Sequence, residues 1–112
     1  MDAAARALAE PRRREILHLV RDQERTVTDI ADHFSISRPA ISQHLRVLSE
    51  ADLVNIRSEG TRRYYRARPE GLAELQEWME GFWTASLRKL ATEVERDQWN
   101  ARKQASQRGN DD

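Results

Sequence analysis

The chain has 112 residues, of which 34% are charged, 38% are hydrophobic and none is cysteine. This length allows one domain with a single core, and no apolar run suits a membrane span or a signal peptide. We therefore expect a cytoplasmic protein without disulfides, thiolate metal sites or cysteine nucleophiles. The formal net charge is zero, but residues 36 to 68 hold 7 Lys or Arg against 3 Asp or Glu. Such a local excess can form a basic contact surface.

Two helices are predicted at the N-terminus. Residues 2 to 9 are rich in alanine and form a helix too short to be stable alone, so its burial partner must lie elsewhere in the molecule or in a second subunit. Pro11 begins the next helix, and residues 12 to 14 of its first turn are all arginine. Because this placement opposes the helix macrodipole, it indicates an external anion, acidic neighbours or a purely solubilising role.

A helix-turn-helix is predicted next. A short helix begins near Thr26 or Thr28, either of which can cap it. Residues 34 to 36 then form the turn, and the second helix begins within a residue of Arg38, because Ser37 is a suitable N-cap. Two short helices in this arrangement are typical of a DNA-binding motif.

The second helix of this motif is amphipathic. Ile41, Leu45 and Leu48 recur at helical spacing and predict a buried stripe. The opposite face carries the hydrogen-bonding side chains of Arg38, Ser42, Gln43 and Arg46. Since Arg pairs with guanine, Gln with adenine and Ser with several base edges, this face is typical of a recognition helix in the major groove. The alternative is a solvated polar face of an ordinary core helix, and this helix in isolation does not decide between them.

A basic β-hairpin is predicted directly after the recognition helix. Residues 53 to 58 and 61 to 66 are rich in β-forming residues and flank Glu59-Gly60, a suitable two-residue turn. This register sets Val54 opposite Tyr65 and Arg57 opposite Arg62, and it brings Arg57, Arg62 and Arg63 to the tip. A basic hairpin in this position is a wing, which contacts the sugar-phosphate backbone or the minor groove.

The last predicted helix begins after Pro69 and extends to about Val94. Its apolar residues exceed what one neighbour can cover, so we predict a dimer interface with aromatic anchors; a roof over the monomer core and a hydrophobic ligand pocket remain as alternatives. The predicted interface residues are Leu8, Leu75, Trp78, Met79, Phe82, Trp83, Leu87 and Leu90. We divide the chain into a DNA-binding and dimerisation domain, residues 1 to 96, and a polar, flexible tail, residues 97 to 112.

Three segments carry a family resemblance through their order and spacing. They are Pro11-x-Arg13-x-x-Ile16-Leu17, Ser37-Arg38-Pro39-Ala40-Ile41-Ser42-Gln43-His44-Leu45 and Glu59-Gly60-Thr61-Arg62-Arg63-Tyr64-Tyr65. Together they resemble the ArsR/SmtB family of bacterial winged-helix repressors. The resemblance implies a winged helix-turn-helix, mainly α with a small β-hairpin in the order α-α-α-α-β-β-α, which dimerises through its terminal helices. It also implies a homodimer that represses transcription by occupying an operator, with base-reading positions at Arg38, Ser42 and Gln43.

The metal-binding motifs of that family are missing. Residues 26 to 30, where metal-sensing members carry paired cysteines, contain no thiolate. No histidine follows His44, so the alternative site on the last helix cannot be assembled either. His18, His33 and His44 are poorly spaced for one another. We therefore expect no metal and no cofactor.

These features predict a sequence-specific DNA-binding regulator. We expect it to be a dimeric repressor that binds a palindromic operator in double-stranded DNA. If that operator lies in its own promoter, the repressor is autoregulatory. No enzyme is expected, because no phosphate loop, nucleophile elbow, metal cluster or paired acidic constellation is visible. The alternative is a winged-helix protein-interaction module, which would not need a basic wing and a polar recognition face together. The predicted DNA contacts are Arg13, Thr28, Ser37, Arg38, Ser42, Gln43, His44, Arg46, Arg57, Arg62 and Arg63.

Overall fold

The computed structural model describes the backbone of residues 1–110 and the side chains of residues 1–103. Within these residues the elements are α1 (Asp2–Leu8), α2 (Pro11–Leu19), α3 (Val27–Ala31), α4 (Arg38–Glu50), β1 (Val54–Glu59), β2 (Arg62–Ala67), a 3₁₀ turn (Pro69–Leu72) and α5 (Ala73–Asn110). Strands β1 and β2 form an antiparallel hairpin, which we call the wing, residues 54–67. The predicted order α-α-α-α-β-β-α is confirmed. None of the described helices combines the length and apolar character needed to cross a membrane.

The chain divides into two compact units, Met1–Gln76 and Glu77–Asp112. Helix α5 continues past residue 96 to Asn110, whereas the sequence predicted a flexible tail from residue 97. Residues 97 to 108 contain neither Gly nor Pro and are rich in Ala, Arg, Lys and Gln, which favour helix even where no apolar face is buried. Polar composition alone therefore did not mark the end of the helix. Residues 111 and 112 lie outside the described residues.

The core of the first unit receives side chains from every helix and strand between α1 and β2. Its buried residues are Ala4, Ala7, Ile16, Val20, Ile30, Ile41, Leu45, Leu48, Leu53, Val54 and Tyr65. The predicted apolar stripe of α4 is confirmed, since its three side chains are at most 1% exposed. Ala4 and Ala7 are buried as well, and α1 contacts α2 and α4. The burial partner of α1 is therefore found within its own chain.

Side-chain caps fix the starts of α3 and α4, as predicted. Thr26 Oγ1 accepts a hydrogen bond from the backbone N–H of Asp29 at 3.2 Å, and Ser37 Oγ accepts one from Ala40 at 3.3 Å. Each such cap stabilises a helix by about 1 kcal/mol. The link between the two helices covers residues 32–37 and is longer than the predicted three-residue turn.

The arginine run at the start of α2 finds partners in the preceding helix. Arg13 Nε donates to the Ala7 carbonyl oxygen at 2.7 Å and Arg13 Nη2 to that of Arg6 at 3.2 Å. Arg14 Nη1 donates to the Leu8 carbonyl oxygen at 2.6 Å. These carbonyls belong to the last turn of α1, where the helix dipole is negative and few intrahelical partners remain, although that of Arg6 also accepts from the N–H of Ala9 at 3.2 Å. For Arg13 and Arg14 the partner is thus the carbonyl end of α1, which is neither the external anion nor the acidic neighbours that the sequence indicated.

Helix α4 ends in a Schellman motif whose left-handed residue is Asp52, with φ of 58°. The N–H of Leu53 donates to Leu48 at 2.9 Å, and the N–H of Asp52 donates to Ser49 at 3.0 Å, which is the bonding pattern of this motif. Gly71 packs against the turn so closely that a Cβ there would overlap the carbonyl oxygen of Asp52. The motif and this contact together fix where α4 ends and β1 begins.

The register of the wing differs from the predicted one. The observed pairs include Val54–Ala67, Arg57–Tyr64 and Glu59–Arg62. The two-residue turn is therefore Gly60-Thr61, and the predicted pairs Val54–Tyr65 and Arg57–Arg62 are wrong by two residues. Gly60 has φ of 62°, and a positive φ at the first central residue is a feature of the type II′ turn, which suits the twist of a hairpin. The glycine belongs at the first turn position, whereas the sequence prediction places it at the second.

Candidate nucleic-acid interface

Helix α4 presents one polar face to solvent. Arg38, Ser42, Gln43 and Arg46 are all exposed, and the apolar stripe on the opposite side is buried. Because the buried stripe fixes the rotation of α4 about its axis, the polar side chains have a defined outward direction. Hydrogen-bonding side chains spread over about two helical turns can contact the edges of a few successive base pairs in a major groove.

The base of the wing is attached by backbone hydrogen bonds to the loop between α2 and α3. The N–H of Arg25 donates to the Tyr65 carbonyl at 3.0 Å, and the N–H of Tyr65 donates to the Arg25 carbonyl at 2.8 Å. The N–H of Ala67 donates to the Val20 carbonyl at 2.9 Å. Tyr65 is also part of the core. The wing is therefore held at its base, and its turn projects beyond these bonds.

A cleft of about 500 Å³ lies where the starts of α3 and α4 meet the end of the wing. Its lining residues are Thr26, Val27, Thr28, Asp29, Arg38, Thr61, Arg62, Arg63 and Tyr64. Four predicted DNA contacts, Thr28, Arg38, Arg62 and Arg63, are thus brought together from three elements. The lining holds three arginines and one carboxylate, that of Asp29, so it is basic. Arginines placed in this way can donate to the phosphates of a nucleic-acid backbone.

Arg57 has acidic partners within the protein. Its Nε donates to both carboxylate oxygens of Glu24 at 3.1 Å, and its Nη2 donates to Glu24 Oε1 at 2.7 Å. Its Nη1 donates to Glu59 Oε2 at 2.8 Å, and its guanidinium carbon lies 4.5 Å from the centroid of the Tyr64 ring. The hydrogen bonds from Arg57 hold the pKa of Glu24 below its ordinary value, because they favour the charged carboxylate.

Arg62 and Arg63, the other two arginines of the wing, differ from Arg57 in their partners. Within the described side chains, no carboxylate forms an ion pair with Arg62 or Arg63. Both are exposed and both line the cleft. Of the three arginines predicted at the tip of the wing, these two lie beside the turn, whereas Arg57 lies two residues before Glu59, the last residue of β1.

Arg13 and His44, two further predicted DNA contacts, do not line the cleft. His44 is 19% exposed, and its Nδ1 lies 3.5 Å from Arg13 Nη1 and 4.0 Å from Glu10 Oε2. Arg13 is half-buried and donates to the end of α1. Both side chains thus have partners inside the first unit, where α2 and α4 pack together.

The second unit carries a run of exposed apolar side chains. They are Trp78, Met79, Phe82, Trp83, Leu87 and Leu90, each between 45% and 61% exposed. The rings of Trp78 and Phe82 stack with their centroids 5.9 Å apart, and those of Phe82 and Trp83 lie edge to face at 6.4 Å. Contiguous apolar surface of this kind is uncommon on a monomer. Leu8 and Leu75, also predicted at the interface, are half-buried and belong to the first unit.

Glu24 and Arg25 belong to the site although neither was predicted. Arg25 anchors the base of the wing through its backbone, and Glu24 holds Arg57, which lies 33 positions further along the chain. An opposite charge is the signal that could have linked Glu24 to Arg57. The chain contains 19 Asp and Glu residues, so charge alone does not select this pair.

The described residues also lack the side-chain groupings that bind metal ions. Among the described residues, no three or more His, Cys, Asp or Glu side chains are arranged to hold a metal ion. The residues that the structure does bring together are the polar face of α4 and the basic cleft beside it.

Comparison with known proteins assigns the same region to a family. The sequence profile described as bacterial regulatory protein, arsR family, matches residues 10–55. The HTH-type transcriptional regulator Rv2034 of Mycobacterium tuberculosis is 44% identical over 86 residues, which are 77% of this chain and 80% of that protein. The transcriptional repressor SdpR of Bacillus subtilis is 37% identical over 82 residues, 73% of this chain and 91% of that protein.

A solved structure supports the same relationship. The homodimeric winged helix-turn-helix DNA-binding domain Mb0332 of Mycobacterium bovis has a TM-score of 0.59 and 35% identity, and the match covers 74% of this chain and 77% of that domain. The segment matched by the family profile contains α2, α3, α4 and the start of β1, which is the helix-turn-helix and the entry to the wing.

Proposed function

The chain belongs to the arsR family of bacterial regulatory proteins and is a DNA-binding transcriptional regulator, and from this premise we propose that it is a homodimeric repressor of a two-fold symmetric operator. Bacterial DNA lies in the cytoplasm, so the repressor works there. The observation that carries the proposal is the basic cleft next to the polar face of α4, because it sets phosphate-binding arginines beside side chains that can bind bases.

The base contacts come from α4. Ser42 and Gln43 lie in the middle of the exposed face, with Arg38 before them and Arg46 one turn after Ser42. Gln can bind adenine through two hydrogen bonds and Arg can bind guanine in the same way. A helix with these side chains at successive turns distinguishes base pairs in the major groove, and the buried stripe keeps it in that orientation.

The phosphate contacts come from the cleft and the wing. Arg62 and Arg63 supply two positive charges, and the exposed Thr28 supplies a hydroxyl donor at the start of α3. Contacts of this kind fix the register and orientation of a protein on the duplex and carry no sequence information directly. The wing thus holds the DNA while α4 selects the sequence.

The dimer forms through the exposed apolar face of α5. Trp78, Phe82 and Trp83 form an aromatic cluster on that face, and aromatic side chains are favoured at interface cores. The homodimeric state of the Mycobacterium bovis domain supports the same assembly here. A two-fold dimer would present two copies of α4 to two half-sites, which requires an operator with the same symmetry.

Electrophoretic shifts with the promoter region of the protein's own gene, at several salt concentrations, test this proposal. If each protomer makes about four phosphate contacts, Arg62 and Arg63 among them, the dimer makes about eight, and log K should fall with log salt at a slope of about −7. Random DNA of the same length is the control and should bind at least about 1,000-fold more weakly. Salt-independent affinity, or equal affinity for both DNAs, would contradict the proposal and favour a protein-interaction module.

A further inference from the structure

The three wing arginines differ in the number of donors already in use. Arg57 directs Nε and Nη2 to Glu24 and Nη1 to Glu59, so all three of its nitrogens have a carboxylate partner. One face of its guanidinium is covered by the Tyr64 ring, 4.5 Å away. A guanidinium has five N–H donors in a fixed fork, and in Arg57 the fork is oriented toward Glu24.

The charge of this group is unfavourable for DNA. One arginine and two glutamates carry a net charge of −1, and the distances of 2.7 and 2.8 Å to Glu24 and Glu59 are those of charge-assisted hydrogen bonds. A phosphate approaching Arg57 would have to displace these carboxylates or lie beside them. A phosphate can approach Arg62 or Arg63 without displacing a carboxylate, because no carboxylate pairs with them among the described side chains.

The position of Arg57 indicates a different task. The backbone bridge between Arg25 and Tyr65 holds β2 at the base of the wing. Arg57 lies on β1 opposite Tyr64, one pair closer to the turn, and its side chain joins β1 to Glu24, the residue next to Arg25. The loop between α2 and α3 therefore holds both strands at neighbouring points, by backbone bonds on β2 and by a side chain on β1.

We propose that Arg57 is a positioning residue, which fixes the wing against Glu24 so that Arg62 and Arg63 are held at the cleft, and which makes no contact with DNA itself. A two-stranded hairpin is marginally stable alone, so its distal part needs such a support to stay in one orientation. The inference rests on the proposed function, since it assigns one residue a task in operator binding.

Salt dependence separates positioning from phosphate contact. Arg57→Ala should weaken operator binding by about threefold to tenfold, since both protomers lose the support, and the slope of log K against log salt should stay that of the wild type. Arg62→Ala is the matched control from the same hairpin, and it should flatten the slope by about two units, one contact in each protomer. A slope that flattens by about two units for Arg57→Ala would overturn the proposal, and so would an unchanged affinity.

The conservative variant Arg57→Lys gives a second, independent readout. Lysine keeps the charge but lacks the planar fork that binds a carboxylate through two nitrogens. If Arg57 positions the wing, Arg57→Lys should weaken operator binding nearly as much as Arg57→Ala. If Arg57 contacts a phosphate as a charge, the lysine variant should keep both the affinity and the slope, and the proposal would be wrong.

A double-mutant cycle tests whether Arg57 acts through Glu24. The fold loss of affinity caused by Arg57→Ala should shrink to half or less when it is measured in the Glu24→Ala background, because the support is already broken there. An equal or larger loss in that background contradicts the proposal. This comparison does not depend on whether removing the Glu24 charge by itself raises or lowers affinity.

Hydrogen exchange of the free protein tests the inference without DNA. Backbone amides of residues 58–63 should exchange faster in Arg57→Ala, while those of α4 keep the wild-type rate, and Arg62→Ala should change neither. Unchanged exchange in the wing of Arg57→Ala would overturn the positioning role. Failure of the proposed function would be observed differently. The wild-type protein would then not bind the operator, while the wing amides of Arg57→Ala would still exchange faster than those of the wild type.

Discussion

Gln43 and Arg62 are both exposed polar residues, but the proposal gives them opposite tasks. Gln43 lies on the outer face of α4, where it can bind a base edge, so Gln43→Ala should cost about 1 to 3 kcal/mol on the operator and little on random DNA. The measurement is fluorescence anisotropy with both DNAs at one fixed salt concentration. The ratio of operator affinity to random-DNA affinity should fall by about 5-fold to 150-fold.

Arg62→Ala is the control for this comparison. Its guanidinium lines the cleft and is assigned to the backbone of the duplex, so its loss should weaken operator and random DNA by similar factors. If Gln43→Ala also weakened both DNAs equally, α4 would not be the element that selects sequence. The pair of variants thus distinguishes sequence selection from general affinity within one experiment.

Residue type alone does not show that Arg57 has a different role from Arg62 and Arg63. All three were predicted to contact DNA because all three are arginines in a basic hairpin, and the structure distinguishes them only by their neighbours. Glu24, the partner of Arg57, comes from a loop 33 residues earlier. The same holds for Arg13, whose partners are carbonyl oxygens of α1, since sequence patterns do not record backbone acceptors.

At the scale of elements, the junction between α4 and the wing depends on Gly71. A Cβ at this position would overlap the carbonyl oxygen of Asp52, which is backbone and cannot rotate away. Gly71→Ala should therefore shift the end of α4 or the 3₁₀ turn and lower the free energy of unfolding by about 1 to 3 kcal/mol. Urea unfolding followed by circular dichroism would measure the loss.

Gly81→Ala is the matched control. Gly81 lies within α5, and a Cβ there would meet no atom within 4 Å. It lies at the edge of the proposed interface, about 60° around the helix from Trp78 and about 200° from Trp83, and it has no side chain to contribute there. Because alanine is the better helix former, this change should leave the free energy of unfolding equal or raise it by up to about 1 kcal/mol. If both variants lost the same free energy of unfolding, the contact between Gly71 and Asp52 would not be the cause of the loss in Gly71→Ala.

The elements that were predicted well are those defined by local rules. The stripe of Ile41, Leu45 and Leu48 follows helical periodicity, and Ser37 and Thr26 cap helices through bonds to residues three positions later. The wing register is a different case, because two pairings that differ by two residues keep the same side chains on the same faces. The preference of Gly60 for a positive φ at the first turn position then selects one pairing.

At the scale of the whole molecule, charge and apolar surface lie on different units. The first unit holds the basic cleft and the polar face of α4, and the second holds the exposed aromatic cluster of α5. The formal net charge of zero hides this division, because the excess of arginine in residues 36 to 68 is balanced elsewhere in the chain. A binding surface depends on the local charge, and the total charge is a poor guide to it.

The dimer is the part of the proposal that belongs to the whole molecule, and Trp83→Ala tests it. Trp83 is 56% exposed in the single chain, and a tryptophan buried at an interface typically contributes about 2 kcal/mol or more to binding. The dissociation constant of the dimer should therefore rise by about 30-fold or more. Sedimentation equilibrium would measure it, and operator affinity should fall because a monomer occupies only one half-site.

Trp99→Ala is the control that removes the same side chain from the same helix. Trp99 is 61% exposed, and Lys103 lies over its ring at 5.1 Å. Trp99 lies nine residues, or about 13 Å along the helix axis, beyond Leu90, the last of the predicted interface residues. It also lies about 160° around the helix from Trp83. Trp99→Ala should leave both the dimer and operator binding unchanged. If it dissociated the dimer as strongly as Trp83→Ala, the interface would not be the apolar face defined by Trp78, Phe82 and Trp83.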